Sequence, residues 1–504
     1  MADIREYCGN DTSNTALLFG ELKEQLLLRV QMSQQYGVDL RSKSDAQVAE
    51  AVISSELTKL SGDKPQRPNI SPSSVYRYNV PSFISYRSPA LREMLEVVRN
   101  AEFRLDGMGY IEMPPEIGEL SLKLGICTYK MGIGGLHSTE KTVGYQADDD
   151  TLLIDRDVVS YYPSIVLNQA LYPKHLGKVF LQVYKTIVDR RITAKQRVAE
   201  IEDLLKPLEK IASATPVERE LVNKLKVELI VCKVIADSLK ITINGSFGKL
   251  GSKWSCLYAP DLMIQVTLTG QLALLMLIEM IEDLGIPVVS ANTDGVVIKC
   301  PKSRYAELQA RIAWWESLTA FKTEETRYKA IYSRDVNNYI AHKDDGKCKV
   351  KGTYSERGSA GNSVLSKNPE NLICSDAVMA LISKGTPIEE TIRGCTDIRR
   401  FVTIRNVTGG ARKSDAYLGK VIRWYYSTKM KGEINRATKG DKVPNSDGAR
   451  PLMEIPAIFP VDVDYARYIE AARKMLFDIG YEKGRYKALT GDFGPLFYEE
   501  DEAA

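Results

Sequence analysis

Two strand-like segments, each carrying an aspartate near its end, lie on either side of a long helical region and constrain the fold more than any other feature. The first runs through TLLID to Asp157 and the turn SYYPS, and the second is a hairpin, PVVSANTDGVVIK, with Asp294 at its tip. The two aspartates are 137 positions apart (294 − 157 = 137). Positions 174 to 248 are typical of two long helices, broken at IASATPVERE.

Length and composition limit the class of protein. A chain of 504 residues is too long for one hydrophobic core, so we expect three or four subdomains. Its eight cysteines lack the close pairs that zinc and iron–sulfur sites need, and it has only three histidines. The longest apolar run, Leu272 to Ile278, is too short to span a membrane, and the polar N-terminus is not a secretory signal. We therefore expect a cytoplasmic protein with reduced cysteines, in which carboxylates carry any catalysis.

Basic residues are concentrated in two blocks, although the net charge is only +3. Lysine and arginine outnumber acids 16 to 9 from Lys174 to Lys253, and 11 to 4 from Phe401 to Arg450. The stretch from Ala488 to Ala504 has five acids and no base. Two basic blocks predict two surfaces that face a polyanion, with an acidic tail outside them. Ordinary solvated helix faces explain the charge pattern equally well.

The two aspartates suit magnesium chemistry. Carboxylates from two adjacent strand ends can hold two Mg²⁺ ions roughly 3.5–4 Å apart, a spacing that suits in-line phosphoryl displacement. Oxygen ligands without histidine favour Mg²⁺ over Zn²⁺. Either Asp157 or Asp294 taken alone is more often a turn or capping residue.

A second set of candidates lies on the two long helices. Arg191 and Lys195 are four residues apart on one helix, so they share a face, and Lys240 and Asn244 do the same on the other. Three cations on an antiparallel helix pair would hold a triphosphate, and arginine offers two parallel donors. A solvent-exposed basic helix pair is the alternative, and spacing alone does not exclude it.

Three segments in order, DVVSYYPSI, KITINGSFG and ANTDGVVI, resemble motifs A, B and C of the family B DNA polymerases. The resemblance runs from about Gly134 to Gly358. It implies an α+β right-hand polymerase fold with an antiparallel-sheet palm, two-helix fingers and a mixed thumb. The implied activity is template-directed, DNA-dependent DNA synthesis from dNTPs with two Mg²⁺ ions, for which Mn²⁺ can substitute. Only 83 positions separate Asp157 from Lys240 (240 − 157 = 83), without the insertion of protein-primed relatives, which favours a nucleic-acid primer.

The resemblance also assigns roles to residues at the site. Asp157 and Asp294 would be the catalytic, metal-binding aspartates, with the carbonyl of Val158 as a further ligand. Tyr162 would stack under the incoming sugar and exclude a 2′-hydroxyl. The implied nucleotide-binding residues are Ser160, Tyr161, Tyr162, Arg191, Lys195, Lys240, Asn244, Phe247 and Gly248.

The sequence departs from the family pattern at several positions. Phe247 stands where the family usually has tyrosine, which keeps a stacking face but loses a hydroxyl near the minor groove. The third motif reads Asn292-Thr293-Asp294-Gly295 rather than Asp-Thr-Asp-Ser, so the metal-binding second acid is present and the less critical first acid is absent. Glu324 or Glu325 would supply an additional carboxylate, and the sequence does not choose between them.

Other matches mark residues for binding primer–template DNA. Gly134-Gly135 resembles a glycine pair near the template strand, although a simple turn explains it equally well. Asn337-Asn338-Tyr339 lies where the primer-gripping Lys-x-Tyr motif is expected, and Lys351-Gly352 resembles the Lys-Gly element that follows. Reading Lys351 to Tyr354 as the primer motif itself is the alternative. The implied DNA-binding residues are Gly134, Gly135, Thr293, Asn337, Tyr339, Lys351, Gly352 and Tyr354.

The same resemblance divides the chain into regions. They are a remnant of an exonuclease domain (1–30), a connecting N-terminal region (31–125), the palm (126–173 and 254–355), the fingers (174–253), and the thumb with the acidic tail (356–504). Within the thumb, the basic stretch around Val402 to Lys431, with Trp424, Tyr425 and Tyr426, would hold duplex DNA through phosphate contacts.

Tyr7 and Asp11 match the third motif, Tyr-x-x-x-Asp, of the proofreading 3′–5′ exonuclease. The acids of the first two motifs would lie upstream of Met1, so we expect no proofreading by this chain alone. Either a separate polypeptide completes the nuclease or the chain is a fragment.

Rival interpretations remain open. The chain could be a catalytically weak or inactive DNA-binding subunit of a split polymerase/exonuclease, an idea motivated by Asn292. It could instead be a nuclease subunit that contributes Tyr7 and Asp11. A reverse transcriptase also pairs two palm aspartates, but the segment from Lys240 to Gly248 argues against it. The motif set looks like a virus- or phage-type version, which would place the protein in a host's cytoplasm.

Overall fold

A computed structural model describes residues 2–208, 215–356 and 367–481 of the chain. The predicted acidic tail at 488–504 lies outside these residues. Among them, every pairing between the named strands is antiparallel. The prediction of an α+β protein with antiparallel sheets is therefore confirmed.

Helices make up the N-terminal region. They are α1 (Ala2–Glu21), α2 (Lys23–Tyr36), α3 (Asp45–Ser61) and α4 (Pro89–Asn100). A capping box begins α3, because Ser44 and Gln47 each bond the other's backbone N–H. The stretch from 62 to 88 is an extended connection, as its proline and serine content predicts.

A ten-stranded antiparallel sheet forms the centre of the protein. A hairpin of β1 (Arg104–Leu105) and β2 (Ile111–Glu112) and the short helix α5 (Pro115–Gly118) precede it. Its strands are β3 (Leu122–Leu124), β4 (Cys127–Lys130), β5 (His137–Ser138), β6 (Val143–Gln146), β7 (Thr151–Val158), β8 (Val288–Asn292), β9 (Gly295–Pro301), β10 (Thr323–Asp335), β11 (Asn338–Lys343) and β12 (Cys348–Val350). Their spatial order is β12-β11-β10-β7-β9-β8-β5-β4-β3, and β6 also pairs with β10. The order places β7 and β9, which carry the two aspartate motifs, side by side.

Two long helices project from the sheet between β7 and β8. After the short helix α6 (Tyr161–Asn168), the chain forms α7 (Val179–Leu208) and α8 (Pro216–Leu250). Thr215 and Glu218 form the capping box that begins α8. The pair runs antiparallel: Arg197 on α7 makes two hydrogen bonds, of 2.7 and 3.1 Å, to the carboxylate of Glu228 on α8.

Helices α9 (Pro260–Glu282) and α10 (Tyr305–Thr319) contribute to the main hydrophobic core. The extended connection also contacts α9, since the hydroxyl of Tyr86 donates to the carbonyl of Leu272 at 2.8 Å. Burial on all sides explains why α9 is apolar all round. It is the one helix in the described part of the chain that is long and apolar enough to cross a membrane, and 94% of that segment is buried in the protein. A core helix meets the same criterion.

The C-terminal region has its own sheet and core. Its elements are α11 (Leu372–Lys384), α12 (Ile388–Gly394), β13 (Thr403–Lys413), β14 (Ala416–Tyr426), β15 (Asn435–Arg436), β16 (Ala449–Pro451) and α13 (Tyr465–Asp478), with the strands in the order β15-β13-β14-β16. Tyr468 lies at the centre of this core: its hydroxyl accepts from Tyr426 N and donates to Phe401 O. The C-terminal region thus has a hydrophobic core separate from the first.

The inner end of α8 is packed tightly against α3. A Cβ atom at Gly245 would lie 2.8 Å from the Cβ of Ala49 and 2.9 Å from the carbonyl oxygen of Asp45. Lys249, one turn later, makes a half-buried ion pair of 2.8 Å with Glu50. Glycine at 245 is therefore required by the close approach of the two helices.

We predict that Gly245→Ala destabilises the protein by roughly 1–3 kcal/mol, because the overpacking outweighs the better helix propensity of alanine. The matched control is Gly248→Ala on the same helix, where nothing lies within 4 Å of the added Cβ. That change should be neutral or stabilising. Denaturant unfolding of the three proteins measures both effects, and equal stabilities of the two variants would contradict the packing argument.

Candidate active site

Asp157 and Asp294 lie on neighbouring segments of the central sheet, and Asp294 lines an open cleft. In the antiparallel pairing of β7 with β9, Asp157 is directly opposite Gly295, the residue after Asp294. The link is tight, because Val158 N donates to Asp294 O at 2.7 Å. The side chain of Asp157 retains 47% exposure, and Asp294 is exposed. The sheet register thus brings together the two acids that the sequence placed 137 positions apart.

The electrostatics of this pair disfavour two bare negative charges. Partial burial raises the pKa of Asp157 to about 6, and the charges of Asp155 and Asp294 add to that effect. The surrounding protein displaces water from around the Asp294 carboxylate and so raises its pKa, against the opposing influence of Lys351. Close carboxylates that resist ionisation together are a suitable environment for a divalent cation.

The donor set fits a hard cation that keeps several water or phosphate oxygens as ligands. No group of three or more His, Cys, Asp or Glu side chains within the described residues is arranged to hold a metal ion. Two carboxylates and a backbone carbonyl would leave positions for water and phosphate oxygens. Such partial coordination is typical of Mg²⁺ at phosphate-transfer sites.

The turn that carries Asp294 is fixed from two sides. Thr293 adopts a left-handed backbone (φ 59°), and its N–H donates to Leu136 O at 2.8 Å. A Cβ at Gly135 would lie 2.8 Å from Thr293 Oγ1, so glycine is needed where the two turns meet. On the other side, Asn292 Nδ2 donates to Val336 O at 2.9 Å and to Asn337 Oδ1 at 3.2 Å. The Gly134-Gly135 turn therefore lies beside the candidate site.

The walls of the cleft come from α6, α7 and α8. A cavity of about 380 Å³ is lined by Asp294, Tyr162, Arg191, Asn244 and Phe247, among others. The rings of Tyr162 and Phe247 pack with centroids 4.3 Å apart, and the hydroxyl of Tyr162 donates to the carbonyl of Gly134. A flat aromatic surface thus lies beside the two carboxylates.

Two of the predicted cations make polar contacts with residues near the two aspartates. Arg191 Nη1 donates to Ser160 Oγ at 3.1 Å, and Ser160 itself turns the chain from β7 into α6 with a left-handed backbone (φ 49°). Lys195 makes an exposed ion pair of 2.9 Å with Glu324. Lys240 is exposed on α8, one turn before Asn244.

The sheet register also chooses between the two glutamates. Glu324 is paired with Asp157 across β10 and β7, so both side chains lie on the same face. Glu325 is paired with Arg156 on the opposite face and makes an ion pair of 2.6 Å with it. Glu324 is therefore the carboxylate beside the site, a choice that sequence alone left open.

Several residues that were predicted to contact nucleotide or DNA are buried. The prediction of a direct side-chain contact is therefore corrected for these residues. Tyr161 is 4% exposed, and its hydroxyl donates to Gly270 O at 2.6 Å. Tyr354 packs in the C-terminal core. The three aromatic residues within the basic stretch predicted to hold duplex DNA, Trp424, Tyr425 and Tyr426, lie in that same core. Their rings stabilise the C-terminal region, and the exposed basic side chains beside them remain the candidates for phosphate contacts.

The two alternatives for the primer-binding strand lie next to each other in space. Lys351 N donates to Tyr339 O at 3.0 Å, and Lys351 Nζ lies 5.7 Å from the centroid of the Tyr339 ring, which is buried. Gly352 has a positive φ of 68° and no room for a Cβ against Asn338, so glycine is required there. Asn337 is exposed at the hairpin tip. Both candidate segments therefore form one surface.

The remaining predicted residues lie on α1. Asp11 is exposed on this helix, and the side chain of Tyr7 lies outside the described residues. Their assignment to an exonuclease motif stays a prediction.

Sequence reasoning missed two residues at the site, Asp155 and Lys349. Lys349 Nζ lies 2.9 Å from Asp155 Oδ2 and 3.7 Å from Asp157 Oδ2. A signal was present for Asp155, because it lies two residues before Asp157 on β7 and so shares its face. Lys349 lies two residues before Lys351, which follows the end of β12.

Comparison with known proteins agrees in part with the motif resemblance. No family model matches the chain. A segment of 132 residues, 26% of this chain, is 25% identical to 15% of DNA polymerase 1 from Saccharolobus solfataricus. The structure of the family B DNA polymerase from the hyperthermophilic archaeon Pyrobaculum calidifontis aligns with 91% of this chain at 15% identity and a TM-score of 0.46. The chain spans 15% of the Saccharolobus protein and 54% of the Pyrobaculum protein.

We predict that Asp157→Asn stabilises the protein at pH 7.5. The folded-state pKa of about 6 lies above the usual value of 3.8, so between pH 3.8 and 6 the folded state binds a proton that the unfolded state has released. The free energy of unfolding therefore falls as the pH rises through this range. After allowance for screening by solvent, the gain should be roughly 1 kcal/mol. It should vanish near pH 4.

Urea unfolding at both pH values measures this difference. Asp149→Asn, in an exposed turn, is the control and should show no comparable pH-dependent gain. A variant that is less stable than the wild type at pH 7.5 would contradict the assignment.

Proposed function

We propose that this protein is a template-directed, DNA-dependent DNA polymerase that extends a nucleic-acid primer with dNTPs. One observation carries the proposal: the β7–β9 register sets Asp157 beside Asp294 beneath a cleft lined by Arg191, Asn244 and Tyr162. The similarity of 132 residues to DNA polymerase 1 from Saccharolobus solfataricus supports the same reaction class.

In this proposal the central sheet is the palm, the α7–α8 pair the fingers and the C-terminal region the thumb. Arg191, Lys195 and Lys240 would bind the triphosphate, with Lys195 exchanging its exposed partner Glu324 for phosphate. The surface around Lys351 would hold the primer strand. Exposed cations of the C-terminal sheet, such as Arg423, would contact the phosphates of the duplex.

The carboxylates of Asp157 and Asp294 and the carbonyl of Val158 would hold divalent ions, Mg²⁺ or Mn²⁺. Such ions, when bound, lower the pKa of a primer 3′-hydroxyl and neutralise charge on the leaving phosphates. The raised pKa values of the two aspartates agree with this role, because a bound cation offsets the cost of ionising both.

The proposal has three further parts. A separate polypeptide would complete a 3′–5′ exonuclease through Tyr7 and Asp11. The protein would be of viral or phage origin, and its location would be cytoplasmic. The alternative function is a DNA-binding subunit with little or no catalysis. Mg²⁺-dependent extension by the purified chain separates the two.

We predict that Asp294→Ala lowers primer extension by on the order of 10³-fold, because a metal ligand worth several kcal/mol in the transition state is lost. Binding of primer–template DNA should stay within severalfold of the wild type. Single-turnover extension of a labelled primer measures the first effect and fluorescence anisotropy the second. Asp149→Ala is the control, and full activity of Asp294→Ala would rule out the proposed site.

We also predict that Tyr162→Ala admits ribonucleotides. Removal of the ring that packs on Phe247 opens the floor of the cleft where a 2′-hydroxyl would lie. The preference for dNTPs over rNTPs should fall by on the order of 10- to 100-fold in kcat/KM. Tyr162→Phe keeps the ring and should keep the preference, so loss of discrimination in both variants would implicate the hydroxyl instead.

A further inference from the structure

Lys349 reaches across the sheet to the candidate metal site. It lies on the edge strand β12 opposite Ala341 of β11, and its side chain extends over β11 and β10 to β7. There Nζ lies 2.9 Å from Asp155 Oδ2 and 3.7 Å from Asp157 Oδ2. One ammonium group thus bridges two carboxylates on the same face of β7.

The ammonium group is held in place from several sides. The side chain of Lys349 is 28% exposed and that of Asp155 only 7%. The hydroxyl of Tyr328 also donates to Asp155, and the Tyr328 ring centroid lies 5.9 Å from Lys349 Nζ. A half-buried, doubly anchored lysine has little freedom to move, so it fixes the position of whatever it contacts.

The second oxygen of Asp157 is constrained by Gly295. A Cβ atom at position 295 would overlap Asp157 Oδ1, although the backbone there does not have a positive φ. The glycine is therefore required for space. The motif that this segment resembles usually has serine at this position. In this chain, the Asp157 carboxylate occupies the space that the serine side chain would fill.

We propose that Lys349 and Gly295 are positioning residues for Asp157. Lys349 holds Oδ2 on the β10 side, and Gly295 lets Oδ1 turn over β9 toward Asp294, so that the carboxylate presents one orientation to a divalent ion. The use of that orientation in nucleotide transfer depends on the proposed function, but the orientation itself is testable through metal binding alone.

Charge complicates a single substitution, since removal of Lys349 leaves Asp155 buried without its cation. The double variant Asp155→Asn/Lys349→Met removes one negative and one positive charge, so the net charge of the site is unchanged. The introduced amide oxygen can still accept from Tyr328, and the methionine side chain preserves the apolar stem over the sheet. A change in metal affinity in this variant therefore reports position and not charge.

The experiment is a Mn²⁺ titration of the protein without DNA or nucleotide, followed by electron paramagnetic resonance. We expect the double variant to bind Mn²⁺ about tenfold more weakly, the size typical of residues that orient a metal ligand. Lys349→Arg should stay within about threefold of the wild type, because it retains the cation. Lys329→Met, an exposed lysine on β10, is the control and should change nothing.

Gly295→Ala gives an independent measurement if the double variant folds poorly. It should also weaken Mn²⁺ binding, whereas Gly107→Ala, with nothing within 4 Å of the added Cβ, should not. Thermal unfolding of each variant shows whether it is folded. Unchanged Mn²⁺ affinity in folded Asp155→Asn/Lys349→Met and Gly295→Ala would overturn the inference, since a purely structural pair would alter only the melting temperature.

The outcomes separate this inference from the proposed function. A wild type that binds Mn²⁺ through Asp157, as shown by loss in Asp157→Asn, but never extends a primer would contradict the polymerase proposal alone. A wild type that extends a primer but shows no Asp157-dependent Mn²⁺ binding would overturn this inference alone.

Discussion

The antiparallel register between β7 and β9 is the constraint on which the candidate site depends. Alternate residues of β7, Ile154 and Val158, face the main core beneath α9, which fixes the strand against slippage. A shift by one residue would turn Asp157 toward the face now occupied by Arg156, where Glu325 lies. The apolar residues of the strand therefore determine on which side of the sheet the acid lies, and the acid itself contributes nothing to that choice.

The wall of the cleft depends on a different interface. The inner end of α8 is held against α3 by the close approach at Gly245 and by Glu50, which pairs with Lys249 and accepts from Cys256 N at 2.8 Å. Asn244 and Phe247 belong to this anchored end. Toward the outer end of the helix, Val227 and Ile230 are 63% and 62% exposed. The residues nearest the aspartates are thus the most firmly fixed part of the α7–α8 pair, and motion of the pair is more easily accommodated farther out.

Much of this arrangement could be predicted from sequence, and the failures have physical causes. Strand ends, the two long helices and the acid-bearing turns follow from local periodicity, so their types and order were predictable. Adjacent aromatics such as Tyr161 and Tyr162 look alike in sequence, but consecutive residues of a helix point in different directions, and only packing against α9 shows which one is buried. Likewise, the sequence places Trp424 among basic residues, and only the structure shows that its ring lies in the C-terminal core.

Long-range pairs were beyond the reach of local patterns. Asp155 and Lys349 are 194 positions apart, and each reads as an ordinary surface charge until the sheet order brings β12 toward β7. The choice between Glu324 and Glu325 also depends on strand pairing. The register of β10 against β7 determines which of these two adjacent residues shares a face with Asp157.

Asn292 and Asn337 can be understood as one departure from the family pattern. The motif resemblance places an aspartate at the first position and a lysine at the second, and the chain has asparagine at both. The structure joins the two amides, with Asn292 Nδ2 donating to Asn337 Oδ1 at 3.2 Å. Replacing an acid and a base that would face each other leaves the net charge beside the site unchanged, and an amide pair retains a hydrogen bond between the two turns. An aspartate at 292 could not donate that bond. The absence of an aspartate at position 292 is therefore explained by the hydrogen bond to Asn337. It is weak evidence that the chain has lost catalytic activity.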